Sequence, residues 1–210
     1  MNRTSRFPLM AFLLLSTLCG CALTKANLDL SYQPEQGTKS PLSTIAPMTV
    51  QLQVEDKRAT EERNRVGNKK NMYGMTMAAI LPNREPTLVL YDALKAELTN
   101  NGHTVIDTPE PSTNVVLVVT LQRYWIDTLL HFADVEVIGT LNTELLLRNP
   151  RIDSVLLTQP HNSTQRESRQ IVADSAFQSV LNRVLVEYIR SFSRAPNILE
   201  ALKKAGQAPN

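Results

Sequence analysis

The sequence has little of the residue types that carry most enzyme and cofactor chemistry. Only two of its 210 residues are cysteine and only three are histidine. His103, His131 and His161 lie far apart, and none stands with cysteine or carboxylate residues at the spacing of a metal site. The chain has neither a glycine-rich phosphate loop nor a Gly-x-Ser-x-Gly nucleophile elbow. We therefore expect a protein that is not an enzyme and that holds no cofactor or metal.

An excess of positive charge is also missing. The chain has 22 lysine and arginine residues against 20 aspartate and glutamate residues. Nucleic-acid binding needs a concentrated basic face, which this balance does not indicate, so we expect no nucleic-acid partner. Asp134, Glu136 and Glu144 are carboxylates at even spacing, and paired carboxylates can perform acid–base catalysis. We favour the simpler interpretation that they form the solvated face of a strand.

The first twenty residues have the features of an export signal. Arg3 and Arg6 precede a short, almost entirely apolar run, Leu9–Leu18, and the small Gly20 follows it. This arrangement is typical of a secretory signal peptide. Cys21 directly after it makes the segment resemble a bacterial lipobox, in which the chain is cut before a cysteine that carries lipid. The sequence therefore predicts a signal peptide over residues 1–20 and lipidation at Cys21.

Two alternatives for this segment stay open, an uncleaved anchor and an ordinary signal peptide. A membrane-spanning helix needs about 20 apolar residues, and Lys25 and Asn27 follow too soon for that. Cleavage would remove Cys19, so no disulfide could form within the mature chain. Ala22 after the cysteine, by resemblance to sorted lipoproteins, implies lipid anchoring at the bacterial outer membrane with the domain on the periplasmic face.

Composition divides the remaining chain into a tether, one domain and a tail. Residues 21–47 are rich in threonine, serine, glutamine and proline without an apolar period. We expect them to form the lipidated N-terminus and a flexible tether, with a root-mean-square span of about 25–30 Å. Residues 48–206 are expected to form a single periplasmic domain, and residues 207–210 a tail.

Hydrophobic periodicity predicts the elements of that domain. Period-two patterns indicate several strands in sequence, and period-3.6 patterns indicate two main helices and a short last one. Sequential strands with short turns favour an antiparallel meander. The prediction is an α+β domain, a two-layer sandwich of a mostly antiparallel sheet with the two main helices on one face. The strands are expected over Met48–Val54, His103–Ile106, Val115–Ile126, Ala133–Leu147 and from Ile152, and the helices from Pro86 to about Asn100, over Gln170–Phe192 and from Asn197 to near Gly206.

The clearest alternation also predicts which strand face is buried. One parity of the fourth strand is apolar and the other is mostly polar. We expect the apolar parity to pack against the apolar stripe of the second main helix. The predicted contact sets are Val135, Val137, Leu141 and Leu145 on the strand, and Phe177, Val180, Leu181 and Val184 on the helix.

Two surfaces are candidate binding sites. The first is a long charged loop, residues 56–73, in which Arg58, Lys69 and Lys70 could contact an acidic partner or lipid headgroups. The second is the end of a hairpin over Trp125–Phe132, where Leu129, Leu130 and Phe132 fall in an expected turn without glycine or proline. For the loop, a solvated segment stays open as the alternative; for the hairpin, packing within the domain does.

Several short motifs resemble those of a known family. Val54, Asp56 and Arg58, followed by VGNKKN from Val66 and by Tyr73 and Gly74, resemble the YajG-like bacterial lipoproteins. The similarity continues to the end of the last helix. It implies a periplasm-facing lipoprotein without known catalytic residues or cofactor. The expected role is a non-enzymatic interaction or structural component of the envelope with a protein partner there; the alternative is an auxiliary lipid- or ligand-binding component of an envelope transport system.

Overall fold

A computed structural model describes residues 24–71 and 73–207. The predicted signal peptide and Cys21 lie outside the described residues, as does the predicted tail apart from Gln207. The described part has eight strands and three α-helices in one sheet-based fold. The strands are β1 (Ala26–Leu28), β2 (Thr49–Asp56), β3 (Gly67–Lys70), β4 (Thr76–Pro82), β5 (Thr104–Ile106), β6 (Val115–Leu130), β7 (Val135–Asn149) and β8 (Ser154–Arg169), and the helices are α1 (Pro86–Asn100), α2 (Asp174–Arg194) and α3 (Pro196–Gln207).

The long strands β6, β7 and β8 form the antiparallel meander that the alternating pattern predicted. One edge of β6 pairs with β7, and the other edge pairs in parallel with β2 through Val115–Leu121 and with β3 at Ile126. Parallel pairs also join β1 to β4 and β2 to β5. The α+β class is confirmed, with a sheet that is antiparallel in its long pairs and mixed overall.

The helices form where the sequence has a helix-starting residue or an apolar stripe. Pro86 begins α1, where proline is favoured because its missing N–H is not needed in the first turn. Helix α1 contacts α2, and both helices contact the sheet. Val180, Leu181 and Val184 of α2 are fully buried, as the apolar stripe predicted. Burial of this stripe provides most of the reason for α2 to fold, because helices in proteins take most of their stability from the tertiary packing of an apolar face.

The predicted buried parity of β7 is correct in its centre. Val137, Leu141 and Leu145 are completely buried, whereas Glu144 on the other parity is exposed. Val135 is only partly buried, because it is the first residue of β7 and lies beside the turn. The core therefore lies between the meander and α2.

The structure corrects the prediction of a flexible tether. Ala26, Leu28 and Leu30 are buried, and β1 pairs in parallel with Ile80–Pro82 of β4. Leu42 and Ile45 are buried as well, at a 3₁₀ turn over Pro41–Thr44. Only three apolar residues, Ala26, Leu28 and Leu30, alternate here within a polar stretch. The composition of the segment therefore did not indicate a strand. The described part of this segment belongs to the domain.

The structure also corrects the prediction of one long loop over residues 56–73. A 3₁₀ turn covers Thr60–Glu62, and β3 pairs with the unpredicted strand β4. β3 contains Asn68 and two lysines, which are depleted in strands. Backbone pairing on both sides, with β4 and β6, overrides that preference.

Candidate functional site

The candidate site lies at the turn between β6 and β7, which we name the hairpin tip (Leu129, Leu130 and Phe132). The His131 N–H donates to the Asp134 carbonyl at 2.9 Å and closes the turn. Leu129 is 48% exposed, Leu130 is 41% exposed, and Phe132 is fully exposed. These three side chains lie outside the buried core, although Leu129 and Leu130 are partly covered by the domain.

The two lysines of the predicted charged loop lie next to the hairpin tip. β3 runs parallel to β6 with Gly67 opposite Ile126, so Lys69 and Lys70 come alongside the end of β6. The Lys69 Nζ atom lies 2.8 Å from an oxygen of Asp174, in the first turn of α2. Lys70 is exposed. Two surfaces that are distant in sequence therefore form one surface in the structure.

A cavity of about 670 Å³ opens at this surface, between the N-terminus of α2 and the sheet. Its size is in the range of small-molecule sites, about 300–1,000 Å³. Its walls combine apolar side chains with the two lysines. The lining residues include Leu130, Val135, Val172, Phe177, Lys69 and Lys70, together with Thr24 from the start of the described chain.

Arg58, the third predicted cation, does not belong to this surface. It is buried, and its guanidinium makes two hydrogen bonds to the Asp56 carboxylate, at 3.0 and 2.8 Å. The remaining donors reach the carbonyls of Glu62, Arg63 and Arg65 at 2.8–3.3 Å. With its donors used inside the fold, Arg58 holds the segment between β2 and β3 in place and is not available to a partner.

Arg58 also controls the ionisation of its neighbour. Burial acts to raise the pKa of Asp56, but the hydrogen bonds and positive charge of Arg58 outweigh it. The pKa of Asp56 therefore lies below its ordinary value, and the pair stays ionised at neutral pH.

A second polar cluster lies under α2, around His161. Its Nε2 atom lies 3.1 Å from the Tyr188 carbonyl and 3.0 Å from the Ser191 hydroxyl. The Thr143 hydroxyl bridges Tyr188 Oη, at 2.8 Å, and the His161 carbonyl. Burial lowers the pKa of His161, although the hydrogen bond to the Tyr188 carbonyl opposes this. The imidazole is therefore neutral at pH 7.

This serine–histidine contact does not form a nucleophile site. The Ser191 hydroxyl donates to the Tyr188 carbonyl of its own helix at 2.9 Å, so its proton is already used. Nucleophilic catalysis also needs a third group that orients the base. Within residues 24–71 and 73–207 no cluster of three histidine, cysteine, aspartate or glutamate side chains is arranged to hold a metal. The cluster is an interior hydrogen-bond network between β7, β8 and α2.

The carboxylates of β7 are separated in the structure. Glu136 forms an ion pair with Arg166 at 3.2 Å and lies 3.8 Å from His131. Glu144 is exposed, eight positions further along the strand. Asp134 belongs to the turn. These groups do not converge on one point where a reacting atom could sit.

In the described part of the chain, no helix is long and apolar enough to cross a membrane.

A comparison with family models shows to which family the chain belongs. A family described as "Uncharacterized lipoprotein" matches residues 38–203. The chain belongs to this lipoprotein family. The resemblance seen in the sequence is thereby confirmed at the level of a bacterial lipoprotein family. No curated protein matches the chain.

Among the solved structures similar to this chain, one superimposes well enough to show the fold. A protein of Xanthomonas campestris is 12% identical, covers 88% of this chain and 100% of its own, and superimposes with a TM-score of 0.56. A minor lipoprotein of Acinetobacter baumannii is 17% identical, covers 71% and 94%, and has a TM-score of 0.38. A lipoprotein of Neisseria meningitidis is 13% identical, covers 68% and 98%, and has a TM-score of 0.35. The first likeness shows the fold alone, and the other two carry no conclusion.

Sequence reasoning missed the residues around the start of α2 that complete the site. Val172 and Phe177 line the cavity but come from the approach to α2 and its first turns. Phe177 looked like an ordinary member of the apolar stripe. No local signal distinguishes a helix residue that closes a cavity from one that fills the core, because the difference lies in what stands opposite.

Proposed function

We propose that the chain is an outer-membrane-anchored lipoprotein whose domain acts in the periplasm as a non-enzymatic interaction or structural component of the envelope. The lipobox-like segment ending at Cys21 supports the anchor, and membership of a lipoprotein family supports the envelope as its place. In this proposal the two long helices form the second layer of the domain and stabilise the sheet.

The observation that carries the proposal is the hairpin tip with its two lysines. Exposed apolar groups gain nothing for folding, and a contiguous exposed patch marks a contact site. Lys70 is exposed beside this patch and gives it a basic border, which favours acidic groups on whatever binds there, whereas Lys69 is paired with Asp174. The proposal assigns the contact role to this surface and expects an envelope protein partner.

A paired substitution tests the contact role. Leu129→Ser with Leu130→Ser should leave the melting temperature nearly unchanged, because both side chains are already about half exposed. The matched control is Ile152→Ser with Val155→Ser, two exposed apolar residues at the other end of β7. In-cell crosslinking should recover fewer adducts from the tip variant than from the control. Equal recovery would contradict the contact role.

The cavity favours a second candidate function, an auxiliary lipid- or ligand-binding component of an envelope transport system. A volume of about 670 Å³ with an apolar wall, the exposed Lys70 and the Lys69–Asp174 pair suits an amphiphile with an anionic head. Val135→Phe should fill part of this space. If the cavity is the functional element, native mass spectrometry of the wild-type protein from membranes should show a bound small molecule. The Val135→Phe variant should lose it, while Ile152→Phe should not.

A further inference from the structure

We propose that the domain rests end-on against the lipid surface that holds its anchor, with the hairpin tip and neighbouring apolar side chains inserted among the lipid headgroups. This inference rests on the lipid anchoring at Cys21 that the proposed function includes, and it differs from that proposal in the occupant of the hairpin tip, which here is the bilayer and not a protein. Three observations carry it: the register of the sheet, the distribution of exposed apolar residues and the point where the chain enters the domain.

The sheet register brings three separate segments to one end of the domain. Gly67 of β3 lies opposite Ile126 of β6 in a parallel pair, and Lys70 lies opposite Thr76 of β4. The turn between β3 and β4 therefore projects in the same direction as the turn between β6 and β7. β8 ends beside the start of β7, with Arg169 opposite Val135. The connection from β8 to α2 lies at this end too.

Exposed apolar side chains concentrate at this end. The turn between β3 and β4 contributes Tyr73 and Met75, the start of β4 contributes Met77, and the connection to α2 contributes Ile171, which is 85% exposed. With the hairpin tip, these are seven of the eleven large apolar side chains that are exposed in the described part of the chain. Large aromatic and aliphatic side chains at loop ends suit the boundary between headgroups and acyl chains.

The chain enters the domain at the same end. In the sheet register, Ala26 of β1 lies opposite Ile80 of β4, and Ile80 lies opposite Gly67 of β3. Thr24 lines the same cavity as Leu130 of the hairpin tip. Three residue steps separate Thr24 from Cys21, and they span at most about 11 Å. A lipid on Cys21 would hold this end close to the bilayer, because the described part of the segment expected to act as a long spacer is packed into the domain.

Charge at this end favours a surface of anionic lipid. Lys25, Lys70 and Arg169 are exposed here, beside the apolar groups, against the acidic Asp134 and Asp174, of which Asp174 pairs with Lys69. Cations next to a membrane are attracted to anionic headgroups, and this attraction falls off within a Debye length. The opposite end, at the turn between β7 and β8, lies a full strand away, roughly 45–50 Å for the length of β7. Only one end of the domain can touch the membrane that anchors it.

Spin labels on single introduced cysteines test the proposal in the lipidated, full mature protein. Phe132→Cys places a label on the hairpin tip, and Ile152→Cys places the matched label on an exposed apolar position at the far end. Because lipid occupies the Cys21 thiol, each variant has one free thiol. The proteins are reconstituted into vesicles of phosphatidylethanolamine and phosphatidylglycerol. Collision with oxygen, which concentrates in bilayers, is compared with collision with a water-soluble nickel chelate.

The expected result is an oxygen-to-nickel accessibility ratio several-fold higher at position 132 than at position 152. Equal ratios would overturn the proposal, because the tip would then lie in water. Low accessibility to both reagents at position 132 would overturn it as well, because that result indicates a protein contact, such as a second copy of the chain.

Flotation of the vesicles separates this proposal from the proposed function. If the protein does not float with the vesicles, the lipid anchor is absent and both proposals fail. If the protein floats but the label at position 132 remains in water, only the membrane seat fails. Melting curves of both cysteine variants check that the fold is intact, which is expected because both positions are exposed.

Discussion

Gly139 of β7 lies directly beneath Val184 of α2. A Cβ atom added to the glycine would come within 2.8 Å of Val184 Cγ2 and, equally, of Val180 Cγ1. Neither valine can move away, because both are fully buried. The glycine thus sets how closely the second main helix approaches the meander.

Replacing Gly139 by alanine should destabilise the domain. The added methyl group forces α2 outward or its valines into strained rotamers, which costs about 1–3 kcal/mol in comparable overpacked cores. The midpoint of urea unfolding measures the loss. Gly206→Ala is the matched control, because a Cβ there meets only the flexible end of Met48 at 3.3 Å, and alanine favours the helix that contains it. A Gly139→Ala variant as stable as Gly206→Ala would show that α2 adjusts freely.

Arg58 is predicted to be a residue of the fold and not of the binding surface. Arg58→Met removes the guanidinium that now donates hydrogen bonds to three backbone carbonyls. Those carbonyls would lose that donor, and unsatisfied buried polar groups cost about 1–3 kcal/mol. Lys57→Met is the matched control, because Lys57 is exposed and makes only a long ion pair of 3.9 Å with Glu55. The control should change the free energy of unfolding by less than about 0.5 kcal/mol. Equal effects of the two substitutions would contradict the structural role of Arg58.

The same pair should contribute to acid sensitivity. The pKa of Asp56 is lowered in the folded protein, so its contribution to stability is present above the unfolded value of about 3.9 and is lost as pH falls through the folded value. Without Arg58 that difference largely disappears. The Arg58→Met protein should therefore lose less stability than the parent between pH 4 and pH 2, relative to its own value at pH 7. Urea unfolding across this range makes the comparison.

His161 should make the domain less stable in mildly acidic solution. Burial lowers its pKa in the folded state, whereas the unfolded chain takes up a proton near pH 6.5. Stability is therefore complete above that pH and falls as pH decreases toward the folded value, by at most about 1.4 kcal/mol per unit from this residue. His161→Gln should make the decline between pH 6.5 and pH 5 shallower. Equal slopes in the parent and the His161→Gln protein would refute the assignment.

The anchor is predicted to be Cys21. Intact-mass spectrometry of protein from membranes should give a chain that starts at Cys21 and carries lipid, because stable anchoring requires more than one acyl chain. The Cys21→Ser variant should lose the lipid mass and stay as an uncut precursor. A mature terminus at another residue, or an unmodified thiol at Cys21, would show that the lipobox interpretation is wrong.

Periodicity was sufficient where an element buries one continuous face. The alternation in β7 and the stripe in α2 identified Val137, Leu141 and Val184 as core, since each of these elements is long enough for its own pattern to be unambiguous. The same reasoning failed for β1 and β4. Their apolar residues are few and are interrupted by polar ones, so nothing local distinguished a short paired strand from a tether or a loop.

The sequence by itself determined the α+β class, the meander, the helices and the apolar character of the hairpin tip, because these depend on spacing along a single segment. Only the tertiary structure decided which charged residues remain available. Lys70 stays exposed beside the hairpin tip because β3 pairs beside β6, whereas Arg58, twelve residues earlier in the chain, turns inward to Asp56 and backbone carbonyls. Both are cations in a polar segment, and their difference arises from the groups that folding places around them.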